Sequence, residues 1–352
     1  MNGTRPLLVS GDPDLIDDVL RLAAANGVEV HLATDAEAAR SHWVLAPMVL
    51  VGSDAAARVA AAQLPRRRDV VLVGHQPSPE DWQRAVTLGA EHVVCLPDAE
   101  RWLIDRLADS GEGTSRDGAV VAVVGAGGGA GASTFAAGLA LAAASRSLRV
   151  LLVDADPVGG GLDVLLGIED ATGVRWPDLA DSRGRLSAAS LDQALPHVDG
   201  VAVLSSGREG ATSLAPEPLT AVLDAGVRGF DLVVVDLPRQ LDQAGEIVLA
   251  RASEVLLVSV NRVRSTAAAA RLAAALQSRC ASVGLVLRTD AKGVSDDAVC
   301  AALSLPIRVS LPHAHALATR ADNGEPPSLR DAYGRACHAA LRTMATTLAR
   351  VA

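Results

Sequence analysis

The sequence predicts an α/β protein built as two parallel sheets in series, and three observations carry that prediction. Short apolar runs of about five residues alternate with helical stretches through residues 6 to 108, and the alternation resumes at Ala119. The runs are continuously apolar, as strands covered on both faces require. Between the two series lies SGEGTSRDG, polar, Gly-rich and without periodicity, which reads as a linker. The expected layout is therefore a first domain over 1–108, a linker over 109–118 and a second domain over 119–352.

In the first domain PLLVS leads into a helix over 13–26, and VEVHLA into one over 35–42. PMVLVG precedes a helix over 54–63, VVLVGH one over 79–88, and HVVCL one over 98–108. In the second domain VVAVVG is followed by a Gly-rich turn, a helix over 133–145 and the strand VLLVDAD. Further strands are expected at VAVLSS, DLVVVDL, EVLLVSV, VGLVL and PIRVSL, separated by Ala- and Leu-rich helices such as 265–277. The connection IEDATGVRWPDLADSRGRLSAASLDQALPHVD is longer and more polar than the rest. It is expected to be an inserted loop with short helices over the ligand face, with Trp176 filling core beneath it.

With 352 residues, 49% of them hydrophobic, the chain can build a sizeable core. One Tyr, two Phe and four Trp mean that Ala, Val and Leu must fill it. A net charge of −9 and the lack of any aromatic-studded basic stretch argue against nucleic-acid binding. Cys95, Cys280, Cys300 and Cys337 form no C-x-x-C pair and read as buried reduced thiols. His313 and His315, too few for a metal site, read as loop residues. No apolar run approaches the ~18–20 residues of a spanning helix, and the start has no signal-peptide pattern, so a cytoplasmic protein is expected.

The stretch GAGGGAGAST, Gly125 to Thr134, follows a strand and opens a helix, the context a phosphate-binding loop requires. Such a loop wraps backbone N–H groups around phosphates, sends a Lys to the β/γ oxygens and offers a hydroxyl to Mg²⁺. Ala132 stands where that Lys belongs. The only lysine in the chain is Lys292, against thirty-one arginines, so a drift from Lys to Arg would have left Arg at 132. The charge is given up rather than exchanged. Asp154 and Asp156 end one strand and Asp236 another, on the sheet edge shared with the Gly loop, where ligands of parallel sheets bind. Helix capping by the aspartates and a tight turn that binds nothing remain the plain alternative.

Together these segments resemble the deviant P-loop ATPases of the ParA/MinD family, whose loop reads K-G-G-x-G-K-[ST]-T. The same frame here runs Gly127, Gly128, Gly129, Ala130, Gly131, Ala132, Ser133, Thr134, with both family lysines missing at 127 and 132. The resemblance implies weak ATP binding with Mg²⁺ held by Ser133 and Asp236 and supported by Asp154. It also implies that Thr134 touches the α-phosphate and that Asp156 orients the attacking water. Losing one charged hydrogen bond weakens ATP by about 10- to 100-fold, whereas hydrolysis, which depends on neutralising charge at the γ-phosphate, becomes slow or absent. Arg262, Arg264 and Arg288 follow strands and could supply a cation, although a solvated surface Arg is the simpler reading of each.

The segments LLVDADPVGGGLDVLLG, GVRWPDLADSRGRLS and ADNGEPP resemble the CpaE/TadZ-like branch, and within it the actinobacterial septum-site-determining type. That resemblance implies a division-site regulator in which ATP is a structural ligand, recruited to the septum or the inner membrane face. A localisation factor for a Flp pilus or secretion machine, and a weak true ATPase with another cation, are the alternatives. The first domain is similar to the receiver domain of response regulators. Its functional stations fall at Gly11 and Asp12, Gly52, Gly74 and Leu96, so the phosphoacceptor Asp, the Ser/Thr and the Lys are all missing. The expectation is a pseudo-receiver that docks partners of the division or secretion machinery, with Asp54 as the N-cap of its third helix. Without a lysine at 127 a nucleotide-sandwich dimer is not expected, and a homodimer would pair through this domain. The amphipathic stretch from Tyr333 to Ala352 is expected to pack on its own domain rather than on lipid.

Overall fold

The computed structural model describes residues 5–25, 27–111, 118–180, 184–207, 214–312 and 315–344. The chain divides into two compact units, Met1–Thr114 and Ser115–Ala352.

The first unit runs β1 (Leu7–Val9), α1 (Pro13–Ala24), β2 (His31–Ala33), α2 (Ala36–Trp43), β3 (Val49–Gly52), α3 (Ser53–Ala61), β4 (Val70–Gly74), α4 (Pro79–Leu88), β5 (His92–Cys95) and α5 (Glu100–Gly111). Helix α5 thus carries three residues past position 108. The five strands are parallel in the order β2-β1-β3-β4-β5, the doubly wound order of flavodoxin and CheY. Strands β3 and β4 are wholly buried, and separate apolar cores cover the two faces of the sheet. Asp12 caps α1, accepting from the N–H groups of Asp14 and Leu15.

Asp54 is not the expected N-cap, because Gly52 ends the strand and caps α3 directly. Asp54 therefore falls in the first turn, from which its carboxylate reaches back to β1. It accepts from the Ser10 hydroxyl at 2.8 Å and the Gly11 N–H at 2.8 Å. A Cβ at Gly52 would collide with this carboxylate, and one at Gly74 would collide with the Ser53 hydroxyl. The side chains of Ser53 and Asp54 thus fill the space that side chains at two empty receiver stations would need.

The second unit begins β6 (Ala119–Gly125), α6 (Ala132–Ala144), β7 (Val150–Asp154), α7 (Leu162–Leu166), α8 (Trp176–Leu179), α9 (Ala188–Ala194), β8 (His197–Val198) and β9 (Val201–Leu204). It continues α10 (Pro216–Gly229), β10 (Leu232–Leu237), α11 (Gln243–Arg251), β11 (Glu254–Val260), α12 (Val263–Gln277), β12 (Val283–Arg288), α13 (Asp296–Leu303), β13 (Ile307–Leu311), α14 (His315–Asp322) and α15 (Ala332–Thr343). The eight-stranded sheet has the order β13-β12-β11-β6-β10-β7-β9-β8. Every pairing is parallel except β8 with β9, a hairpin turned by Asp199 and Gly200, both at positive φ.

The connection over 168–199 forms the expected short helices, and its described apolar residues pack into the core rather than over the ligand face. Trp176, Leu179, Leu191 and Leu195 are buried in the core on one side of the sheet. The opposite core is organised by α6, whose residues from Phe135 to Ala143 are all buried. Helix α15 packs against α6 and β13 through Tyr333, Cys337 and Leu341, as expected of the amphipathic stretch; residues 345–352 lie outside the described residues. Of the thiols only Cys337 is buried, its pKa pushed up to about 12 by burial; Cys95 ends β5, Cys280 follows α12 and Cys300 lies within α13, and all three are partly exposed. His313 lies outside the described residues, and His315 opens α14 rather than a loop. Among the described residues no helix is long and apolar enough to cross a membrane.

Candidate functional site

Strand register assembles the site. Asp236 of β10 is the direct partner of Asp154 of β7, so their Cα atoms lie about 4.8 Å apart with both side chains on one face. On the other side β10 pairs with β6, whose last residue, Gly125, starts the Gly loop. The chain turns toward β10 and β7 on one flank of β6 and toward β11 and β12 on the other, so the loop lies at a topological switch point.

The loop owes its shape to two left-handed glycines, Gly129 at φ +69° and Gly131 at φ +91°. Gly131 caps α6 without a side chain, so the first N–H groups of this 13-residue helix have no side-chain acceptor. At Gly127, Gly128 and Gly129 a Cβ would meet nothing within 4 Å. Beside the helix start opens a cavity of about 270 Å³ lined by Ser133, Thr134, Asp154, Asp156 and Asp236, and closed by the turn before α7. Five of the sequence-predicted residues are thereby brought together. No described residue of the 168–199 connection lines it.

The cavity is acidic and its floor is buried. Asp236 is 4% exposed and Asp154 2%. Burial drives the Asp236 pKa up to about 7; the Ser133 hydroxyl, donating to the carboxylate, opposes this, and the charges of Asp154 and Asp156 add to it. Burial likewise raises Asp154 to about 6, against the N–H groups of Asp156 and Leu162, which donate to it at 3.1 Å each. Asp154 thus shapes the 155–162 turn as well as facing the cavity. Asp156 is half-buried and accepts from the Val158 N–H at 3.3 Å.

Several supporting residues carried no sequence signal. Ser205 donates to Asp163 at 2.8 Å and lies 3.3 Å from Asp154, while Arg175 pairs with Asp163 at 3.4 Å. Arg175 also donates to the carbonyls of Ile168 and Ala171, gathering the connection into place. The Trp176 indole donates to the Asp154 carbonyl at 2.7 Å, so this residue fills core, as expected, and also fixes the end of β7. Of the three candidate arginines, Arg262 pairs with Asp290 and Arg264 is exposed, but the Arg288 guanidinium reaches the Gly loop.

The donor set suits Mg²⁺ shared with phosphates. Two buried carboxylates that repel one another stand beside a hydroxyl and a run of helix N–H groups, so a divalent cation and an anion each find complementary partners. Among the described residues no three His, Cys, Asp or Glu side chains are placed to hold a metal by themselves. Mg²⁺ does not need such a cage, since it keeps waters and phosphate oxygens as ligands.

Comparison with known proteins places the chain in the same class. Residues 121–296 match the CobQ/CobB/MinD/ParA nucleotide binding domain, and residues 9–118 match the Rv3660c-like, CheY-like N-terminal domain. The uncharacterised protein Rv3660c of Mycobacterium tuberculosis is 43% identical over 287 residues, covering 80% of this chain and 81% of its own. Among solved structures, a ParA family ATPase from Chlorobium tepidum aligns at a TM-score of 0.57 with 21% identity, over 63% of this chain and 98% of its own. The septum site-determining protein MinD of Pyrococcus horikoshii, complexed with Mg-ADP, aligns at 0.54 with 17% identity, over 66% and 98%. The chain is a member of the MinD/ParA nucleotide-binding superfamily. Within it, the chain belongs with the Rv3660c-like proteins, which carry a CheY-like domain ahead of the nucleotide-binding one.

Proposed function

We propose that this protein is a nucleotide-sensing scaffold of the MinD/ParA class, holding Mg²⁺-ATP as a structural ligand with slow or absent hydrolysis. The observation that carries this reading is a complete acidic and hydroxyl site, Ser133, Asp154 and Asp236, set against a glycine loop with no lysine at 127 or 132. In this reading the N–H groups of Gly127 to Thr134 cradle the phosphates, with Thr134 at the α-phosphate. Ser133 and Asp236 hold Mg²⁺, and Asp154 orients that shell through its contact with the 155–162 turn. Bound Mg²⁺ supplies charge neutralisation across the phosphate oxygens. Asp156, lining the cavity, orients water, but neither loop position carries the lysine that would reach the transferring group.

The CheY-like unit, with Gly52 and Gly74 at two of its stations and Asp54 engaged by Ser10, serves in this account as a docking module rather than a phosphoacceptor. The resemblance to MinD proteins supports a role in placing the division septum, with the chain recruited there by a protein partner. The experiment is live imaging of a fluorescent fusion in dividing cells of the source organism. Accumulation at mid-cell that is lost in Asp236→Ala supports the reading. Uniform fluorescence, or foci tracking a secretion ATPase instead of the septum, would contradict it.

A further inference from the structure

Arg288 sits where a cation is unfavourable unless an anion joins it. It is the last residue of β12, opposite Val260 of β11, while Val258 of β11 pairs with Gly125 of β6. Strand β12 therefore lies two strands, about 10 Å, from the strand that launches the Gly loop. Arg288 shares a sheet face with Val286, on the side packed by α6, and its side chain spans the gap to the loop. Its Nη1 lies 3.4 Å from the place a Cβ would occupy on Gly131, the N-cap of α6.

Two features of this arrangement are unfavourable by themselves. The Arg288 Nε is buried without a hydrogen-bond partner, and among the described residues no acidic side chain pairs with the guanidinium. A cation also stands at the positive end of a helix that has no side-chain cap. An anion seated between the helix start and the guanidinium would satisfy both, accepting from the arginine fork and from the loop N–H groups together. Among the other cations, Arg262 is committed to Asp290, and Arg264 and Lys292 are exposed.

We propose that Arg288 supplies, from a neighbouring strand, the phosphate-binding cation that the loop lacks at Gly127 and Ala132, giving a di- or triphosphate a planar guanidinium partner in place of an ammonium. The inference rests on the nucleotide-binding reading above and assigns that site its missing charge. A guanidinium presents paired N–H donors in a fixed fork and stays charged at every working pH, so it can engage two phosphate oxygens at once.

The test is calorimetric titration of the full-length chain and its Arg288→Met and Arg288→Lys variants with Mg²⁺-ATP and with tripolyphosphate, alongside thermal unfolding without ligand. Arg288→Met is expected to weaken both ligands by about 10- to 100-fold. Its ligand-free melting temperature should stay level or rise, because an uncompensated cation has gone. Arg288→Lys should retain binding within about tenfold, keeping the charge but not the fork. Wild-type affinity in Arg288→Met overturns the inference and leaves nucleotide binding standing. A loss confined to ATP, with tripolyphosphate unaffected, overturns it in favour of a contact with the base. A drop in ligand-free melting temperature overturns it in favour of a packing role. Absence of ATP binding in the wild type overturns both this inference and the reading beneath it.

Discussion

Asp236→Asn should make the ligand-free protein more stable while disabling its site. The Asp236 pKa is raised from 3.8 to about 7 by burial and by the neighbouring charges of Asp154 and Asp156. A raised carboxyl pKa means that the stability contributed by the protonated group is fully present below about pH 4 and is lost as pH rises through about 7. Three pKa units correspond to about 4 kcal/mol that the ionised carboxylate costs the fold at pH 8. Asparagine keeps the shape and an acceptor for the Ser133 hydroxyl but cannot ionise. Allowing for relaxation around the charge, a gain of about 2–4 kcal/mol is expected, or about 5–15 °C in melting temperature for a unit of this size. Calorimetric unfolding in a chelating buffer at pH 5, 6.5 and 8 reads it directly. The gain should be largest at pH 8, fall to less than half of that at pH 5 and vanish only below about pH 4, and Mg²⁺-ATP should no longer stabilise the variant. Equal stability at pH 8, or a difference that ignores pH, would refute the reasoning.

Restoring the family lysine by Ala132→Lys should tighten ATP by about 10- to 100-fold in calorimetry, and no gain would mean that the loop does not cradle phosphates. Trp176→Phe removes the indole bond to the Asp154 carbonyl and should cost about 1–3 kcal/mol, read as a lower denaturant midpoint; an unchanged midpoint would show that this bond holds nothing. Asp54→Ala strips the acceptor from the Ser10 hydroxyl and the Gly11 N–H, so hydrogen exchange at Gly11 should accelerate in the full chain. Unaltered protection there would mean that Asp54 does not tie α3 to the end of β1.

Both sheets were legible because their strands are apolar runs long enough to be recognised, and the Gly loop and its aspartates because they sit at strand ends. What stayed hidden depends on strand order and on side-chain reach. The β8 strand, His197–Val198, is too short for any periodicity, and only the Asp199-Gly200 pair after it signals the hairpin. Asp163 and Ser205 are 42 residues apart and meet only because β9 lies beside β7. Arg288 could be placed after a strand, but which of three such arginines reaches the loop is decided by β12 lying two places from β6 and by the parity of its side chain. Asp54 looked like a cap because helix starts favour aspartate; the cap is Gly52, two residues earlier, and the helix opens at Ser53, which frees the Asp54 carboxylate to reach the end of β1.

The central claim is that this chain binds a nucleotide it scarcely hydrolyses. The most direct measurement is titration of the purified full-length protein with ATP and ADP in Mg²⁺, paired with a phosphate-release assay on the same sample. The account predicts saturable binding that weakens in Asp236→Ala, with release far slower than about 1 s⁻¹. It would be contradicted by no binding at millimolar ATP, which would leave the Gly loop as architecture alone, or by sustained release at about 1 s⁻¹ or faster, which would make the protein a working ATPase.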